Sequence, residues 1–354
     1  MNATGVQLIR LSADRVVLRR GHVQLLLGGP DVGQIAERLL GFLGEGRAPE
    51  EIVETFPGPL RAEVDRILAA MTERRLIAEP GSCDAQGDAL QSSFYAALAA
   101  PADTVRQELD SATVAVTGIN LVARSLARSL LEVGVGRVLL ISHPVLDNEL
   151  ASGDWADDLA GRGKAGPQRA RGRLEVVRAP GGQLDGTPDG TDVSLAIATS
   201  DLGEADALVE ASRGALRDGT RFLPAWISDL VGYAGPLTYP YETACFRCYQ
   251  LRADSNNPVC DVSRAIASEA TSDPAGRATA GFLPPMAGVV GEIAAMEAVK
   301  AIAGFVPSDA VGRLIQINLL SFTAAVRRVL KVPRCPDCSE AMARSSRVLI
   351  EDRR

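Results

Sequence analysis

No apolar run in this 354-residue chain reaches the ~18 residues that a bilayer-spanning helix needs, and no signal peptide opens it. Membrane insertion and secretion are therefore not expected, and a cytoplasmic location is. A basic excess is missing too. With 37 Lys and Arg against 44 Asp and Glu, the formal net charge is −7, which argues against an electrostatic nucleic-acid binder. Such a surface suits a partner of peptides or proteins. Only two histidines are present, and His22 in a turn and His143 at a strand end read as surface residues rather than bases. The length exceeds what one core usually supports, so two domains are expected.

Against these absences stand six cysteines. Four of them form two C-x-x-C pairs, Cys245/Cys248 in Thr-Ala-Cys-Phe-Arg-Cys-Tyr and Cys335/Cys338 in Pro-Arg-Cys-Pro-Asp-Cys-Ser. Each pair can place two thiolates on one metal through a tight knuckle. Four sulfurs leave no open position for a catalytic water, so the pattern predicts one structural zinc. The alternatives are two unrelated pairs or a redox pair. Redox C-x-x-C motifs sit at a strand-to-helix junction opening a thioredoxin-like unit, and neither pair has that context. Cys83 and Cys260 read as free thiols in a reducing compartment. Cys260 has no evident base beside it, so a nucleophilic role is unsupported.

The polar, unpatterned stretch Glu79 to Asp88 reads as a linker, dividing the chain into residues 1–80, a linker at 81–88 and residues 89–354. Before it, Val6–Leu11, Arg15–Arg19 and Val23–Leu27 read as three strands. Three helices follow, one capped by Asp31 and carrying Ile35, Leu39 and Leu43, one over Ala48–Thr55, and one with Leu60, Val64, Ile67, Leu68 and Met71 on one stripe. A short strand, Leu76–Ala78, closes the unit. That order predicts a winged helix-turn-helix arrangement.

Beyond the linker, a helix over Ala89–Leu109 leads into a βαβ unit with strand Thr113–Thr117, helix Leu121–Val133 and strand Val138–Ile141. Between strand and helix stands Gly118-Ile119-Asn120-Leu121-Val122-Ala123, where a dinucleotide fingerprint would be G-x-G-x-x-G/A. Gly118 and Ala123 fit. Asn120 replaces the glycine that lets the backbone approach a phosphate, and Ser142 and His143 stand where a carboxylate would grip a ribose. The loop therefore reads as degenerate. Asp201, after the strand Val193–Thr199, could hold magnesium, but with Glu204 it also makes a capping box for the helix Ala205–Leu216. Lys164 in a Gly- and Arg-rich loop could reach a phosphate or simply solvate.

The block Gly235-Pro236-Leu237-Thr238-Tyr239-Pro240-Tyr241-Glu242-Thr243-Ala244-Cys245-Phe246-Arg247-Cys248 resembles one found in the ThiF-like, ubiquitin-activating-enzyme-like superfamily. The helix Ala287–Ala303, the strands Leu314–Leu319 and Ala325–Val332 and the terminal cysteine pair follow in the order of its thiazole- and oxazole-peptide branch. The N-terminal unit is similar to the PqqD-like module that recognises leader peptides. The resemblance implies an α/β chain with a winged helix-turn-helix, PqqD-like domain before a Rossmann-like ThiF-type domain stapled by zinc. Its implied role is an ocin-ThiF-like binder of a precursor's leader, handing the peptide to a separate YcaO-type cyclodehydratase in microcin, thiopeptide or bacteriocin biosynthesis. Active superfamily members also need an Asn/Arg/Gln set after the second strand, and Asp147–Asp158 offers Asp147, Asn148 and Glu149 without Arg or Gln. The resemblance thus implies a non-catalytic accessory subunit for which ATP is not expected, with Gly118 and Asp201 as remnants of a nucleotide site. A homodimer stays open.

A leader can add as a strand to a sheet edge. By resemblance that edge is Val23, Gln24, Leu25, Leu26 and Leu27, with Leu60, Val64, Ile67, Leu68 and Met71 as the other wall, some of which is core. Arg15, Arg19, Arg20, Arg61 and Arg74 could engage acidic leader residues or merely solvate the surface. Two rivals are weighed against this. A ThiF-like adenylyltransferase acting on a peptide carboxylate would need ATP at Gly118 and magnesium at Asp201. A DNA-binding regulator would read through Pro59–Glu73, whose arginines are offset by Glu63, Asp65 and Glu73.

Overall fold

The computed structural model describes residues 3, 5–21, 23–74, 76–77, 89–98, 100–148, 155–156, 173–178, 191–203, 205–259, 261–262, 265 and 281–339. Two compact units emerge, Met1–Gln107 and Glu108–Arg354. The expected linker at 81–88, Cys83, Lys164, Cys260 and His22 lie outside the described residues.

In the first unit, β1 (Gln7–Ser12), β2 (Arg15–Arg20) and β3 (Val23–Gly28) form an antiparallel sheet in that order. Three helices follow, α1 (Val32–Gly44), α2 (Pro49–Glu54) and α3 (Gly58–Glu73). Alternation along β2 turns Val16 and Leu18 inward, where they meet Ile35, Leu39 and Leu43 of α1 and Val64, Leu68 and Met71 of α3 in one core. Three local expectations fail. Asp31 has a left-handed backbone at φ 56° and its side chain makes no cap bond, so α1 begins without the expected carboxylate. Leu76 and Ile77 form a buried bend rather than a strand. The single helix expected over Ala89–Leu109 is two, α4 (Ala89–Ala97) and α5 (Ala102–Ser111). Pro101 explains the break, because its ring disfavours helical backbone at the residue before it.

The second unit is an eight-stranded mixed sheet. Its strands are β4 (Thr113–Thr117), β5 (Arg137–Ile141), β6 (Arg173–Val177), β7 (Leu195–Ser200), β8 (Phe222–Ser228), β9 (Val231–Ala234), β10 (Arg313–Asn318) and β11 (Ala324–Arg328). They lie in the order β11-β10-β9-β8-β7-β4-β5-β6, parallel from β6 through β8 and antiparallel beyond. Near-continuous apolar runs such as Val138–Ile141 suit strands covered on both faces. The helices are α6 (Leu121–Val133), α7 (Ala205–Arg217), α8 (Phe246–Asn256) and α9 (Pro284–Ala303). α6 starts at Asn120, whose side chain accepts from the Ala123 N–H, and stops at Gly134 with φ 102°. α9 packs tightly on it, because a Cβ at Gly291 would stand 2.7 Å from Ser125 Cβ and from the Val122 carbonyl. No helix among the described residues is long and apolar enough to cross a membrane.

A parallel sheet that extends both ways from a central strand has a switch point there. Here the chain goes from β4 outward to β5 and β6 and returns to β7 on the other flank, so the switch lies between β4 and β7. The C-terminal ends of those two strands lead into Gly118 and Asp201.

Candidate functional site

At the end of β4, Gly118 turns with φ +100°, and a Cβ there would lie 2.6 Å from the Thr199 carbonyl and 2.9 Å from Leu146 Cβ. Only glycine fits that approach. Asn120 then turns inward. It is fully buried, and its amide donates to the carbonyls of Leu146 and Thr199 at 3.0 Å each and to Thr199 Oγ1 at 3.1 Å. The residue read as a damaged glycine is thus the brace that ties the ends of β4, β5 and β7 together. Its side chain fills protein interior.

Asp201 is 3% exposed. One oxygen accepts from the Leu121 N–H at 3.1 Å, at the first turn of α6, and the other from the Asn148 amide at 3.1 Å. The carboxylate thus caps α6 across the switch point, while Glu204, its expected partner in a capping box at α7, lies outside the described residues. Burial raises its carboxyl above the usual range, opposed by the Leu121 and Asn148 hydrogen bonds. A desolvated carboxyl at a helix N-terminus beside a buried amide, at the switch point, is a candidate functional group on physical grounds.

A carboxylate, that of Asp147, stands against Ser142 at the end of β5. Its Oδ1 accepts from the Ile119 N–H at 2.6 Å and the His143 N–H at 3.0 Å, and its Oδ2 accepts from Ser142 Oγ at 2.5 Å. A turn from His143 to Asp147, closed by the Asp147 N–H to the His143 carbonyl, carries it back to the strand end. His143 Nδ1 accepts from the N–H groups of Val145 and Leu146, so it shapes that turn. Asp147 and the brace at Asn120 were the residues that sequence order concealed.

The four cysteines also come together. All are buried, and their sulfurs lie within 4.8 Å of one another. Cys245 to Cys248 is 3.8 Å, Cys245 to Cys335 is 3.6 Å and Cys248 to Cys338 is 3.6 Å. Disulfides would need about 2.05 Å. A tetrahedral metal with bonds of ~2.3 Å puts its sulfurs about 3.8 Å apart, so the cluster has the dimensions of a metal site compatible with zinc. The Val332 N–H donates to Cys248 Sγ at 3.4 Å, and Asp337 pairs with Arg213 of α7 at 3.0 Å.

In the first unit, Leu25, Val64, Ile67, Leu68 and Met71 are buried in the core, with Val23, Leu27 and Leu60 partly buried against it. Gln24 and Leu26 are exposed, Leu26 at 53%. The Gly29 N–H donates to the Asp14 carbonyl on the β2 side, and Arg74 donates to the Gln24 carbonyl at 3.0 Å from the other. Alternation then points the backbone groups of Gln24, Leu26 and Gly28 away from β2.

Together these features define a doubly wound α/β unit with a carboxylate-lined switch point and a closed four-thiol cluster. The ThiF family model matches residues 193–340. Solved structures share the fold along nearly the whole chain. E. coli MccB with ATP is 13% identical with a TM-score of 0.69, covering 96% of this chain and 99% of that one. The microcin C7 biosynthetic enzyme MccB in complex with N-formylated MccA is 14% identical with a TM-score of 0.71 and the same coverage. A heterocyclase in complex with substrate and cofactor is 18% identical with a TM-score of 0.61, covering 96% of this chain and 39% of that one. No curated protein sequence matches. These likenesses overturn the expectation of a non-catalytic accessory subunit, because the same fold over the same length includes a biosynthetic enzyme and a form solved with ATP. The expectation rested on Asn120, on Ser142 and on the missing Arg and Gln after the second strand; of these places, Asn120 is a buried brace and Ser142 carries the Asp147 carboxylate on its hydroxyl.

Proposed function

We propose that this chain is a ThiF-type enzyme of peptide modification, which binds a precursor peptide through its winged, PqqD-like first unit and adenylates it at the switch point of its second. The observation that carries this reading is the convergence of Asp201, Asn148 and Asp147 on the Gly118–Leu121 turn. Each carboxylate has lone pairs left, since a carboxylate accepts about four hydrogen bonds and Asp147 uses three. The residues therefore fit a magnesium-bearing nucleotide, with Asp201 and Asn148 at the metal and phosphate end and Asp147 beside the ribose.

ATP, when bound, supplies an adenylyl group to a peptide carboxyl or amide oxygen. The chain's own residues hold and orient. Gly118 and the Asn120 brace fix the turn so that its backbone needs no reorganisation on binding, which is the form of preorganisation that lowers barriers. Burial raises the Asp201 carboxyl, and a cation facing it would favour the ionised form. The cysteine cluster is read as structural zinc, closing the C-terminal segment onto α8. In the first unit the peptide adds to the outer row of β3, with Val23, Leu27 and Leu60 contributing apolar contact.

ATP–pyrophosphate exchange in the presence of the cognate precursor tests the reading. Exchange that needs peptide and disappears in Asp201→Ala supports it, and an ATP-inert chain sinks it. A second reading, delivery of the peptide to a separate YcaO-type cyclodehydratase, is favoured by one observation. The heterocyclase matched here is much longer than this chain, which covers 39% of it. Peptide-dependent co-purification with such a partner would favour that role.

A further inference from the structure

Arg20 ends β2 on the face that carries Val16 and Leu18 into the core, and it is 2% exposed. Among the described residues its Nε has no hydrogen-bond partner, and Nη1 reaches the Leu76 carbonyl only at 3.5 Å. That distance is at the outer limit of a hydrogen bond. Arginine stays protonated at any pH a protein meets, and a buried charge without a partner is strongly disfavoured. Other arginines of this unit differ. Arg10 pairs with Glu37, Arg61 donates to the carbonyls of Phe56 and Glu54, and Arg74 donates to Gln24. Arg20 alone among these is both buried and unspent.

Its place in the sheet suggests what it awaits. Arg20 is in register with Val23, the first residue of the edge strand β3, and Leu76 lies just past the C-terminal end of α3. The guanidinium thus stands between the start of β3 and the residues just past α3, the same end at which Arg74 reaches Gln24. We infer that Arg20 is the anion anchor at this end of the β3 edge, receiving the carboxylate of an Asp or Glu side chain on the bound peptide. A planar guanidinium fork matches a carboxylate in two-point geometry, which fixes the peptide's register as well as adding affinity. The inference rests on the peptide-binding role proposed above and adds the chemical class of one residue in the ligand.

The test uses the full-length protein and a random peptide display library, with the strongest selected peptide synthesised carrying a fluorescent label. Selected peptides should share one acidic position, and changing it to the amide should weaken binding to the wild type about tenfold or more. In Arg20→Met the same change should have no further effect, and Arg20→Lys should keep part of the discrimination. Without peptide, Arg20→Met should melt no lower than wild type, since it replaces an unpaired buried charge with an apolar chain of similar length. Peptides indifferent both to the acid-to-amide change and to Arg20→Met would overturn the anchor while leaving peptide binding intact. A lower melting temperature in Arg20→Met with the acid-to-amide penalty unchanged would make Arg20 a core residue and overturn it too. If Arg20→Met does not fold, the wild-type comparison of acid and amide peptides decides alone. A library that yields no binder overturns the peptide reading itself.

Discussion

The cysteine cluster and the switch-point site lie in the same unit, yet they use sequence in opposite ways. At the cluster, residue type carries the chemistry, because only thiols in C-x-x-C knuckles bring four sulfurs into the 3.6 to 3.8 Å contacts seen here. At the switch point, place carries it. Asp147 brings its carboxylate to Ser142 from five residues on, and Asp201 caps α6 from across the sheet. A metal knuckle can therefore be read one residue at a time. A ligand site built where several strand ends meet cannot.

The largest test of that contrast is the double substitution Cys245→Ser/Cys338→Ser. If the cluster is structural, metal binding worth ~10 kcal/mol or more is folding energy, so the second unit should lose its metal and become protease-sensitive. Elemental analysis finding stoichiometric zinc in that variant would break the comparison on the cluster's side. Next comes Asp201→Ala. Removing an electrostatic group from a preorganised site should lower pyrophosphate exchange by roughly a hundredfold or more, with peptide affinity unchanged under the proposal that the first unit binds it.

How far the fold was legible follows the same division. The βαβ unit and the helices α7 and α9 match their expected ranges closely, because Val114, Val116, Val138 and Leu140 are apolar where a doubly covered sheet demands it. By contrast, β6, β8, β9 and α8 have no counterpart among the expected elements, and β11 ends at Arg328 rather than Val332. α6 could be bounded by its Asn120 and Gly134 ends alone. The errors fall where a tertiary partner outbids a local signal. Asp201 has an acceptable local role as a cap, yet in the fold it accepts the orphan N–H of Leu121. Asn120 looks like a lost glycine until Thr199 and Leu146 are beside it. In the first unit the apolar stripe of α3 was visible in sequence, though only burial distinguishes core residues such as Met71 from residues such as Leu60 that keep some exposure.

A smaller effect sharpens the first unit. Leu26→Pro removes an outward N–H of β3 and should weaken labelled-peptide binding about tenfold while the sheet survives. Leu25→Pro faces β2 in register with Leu18, so it should unfold the unit instead. Fluorescence polarisation and circular dichroism on both variants separate the two outcomes, and equal peptide affinity in wild type and Leu26→Pro would exclude strand addition.

The smallest expected effect is on the pH dependence of stability. Because burial raises the Asp201 carboxyl, the folded state holds a proton that the unfolded state has already lost in the interval between the two values. Its contribution therefore favours the fold at low pH and is lost as pH rises through that interval from the ordinary carboxylate value. Asp201→Asn should remove this dependence, so its melting temperature relative to wild type should rise from acid toward neutral pH. A constant difference across that range would mean that Asp201 ionises freely.

Under the proposed function, Asp147 supplies in space the carboxylate that sequence order withholds. ATP–pyrophosphate exchange by the full-length protein with its precursor, compared between wild type, Asp147→Asn and Ser142→Ala, tests it directly. The account predicts exchange in the wild type, a large loss in Asp147→Asn through a raised apparent KM for ATP, and a small loss in Ser142→Ala, which only steadies the Asp147 carboxylate. Undiminished exchange in Asp147→Asn, or none in the wild type, would contradict it.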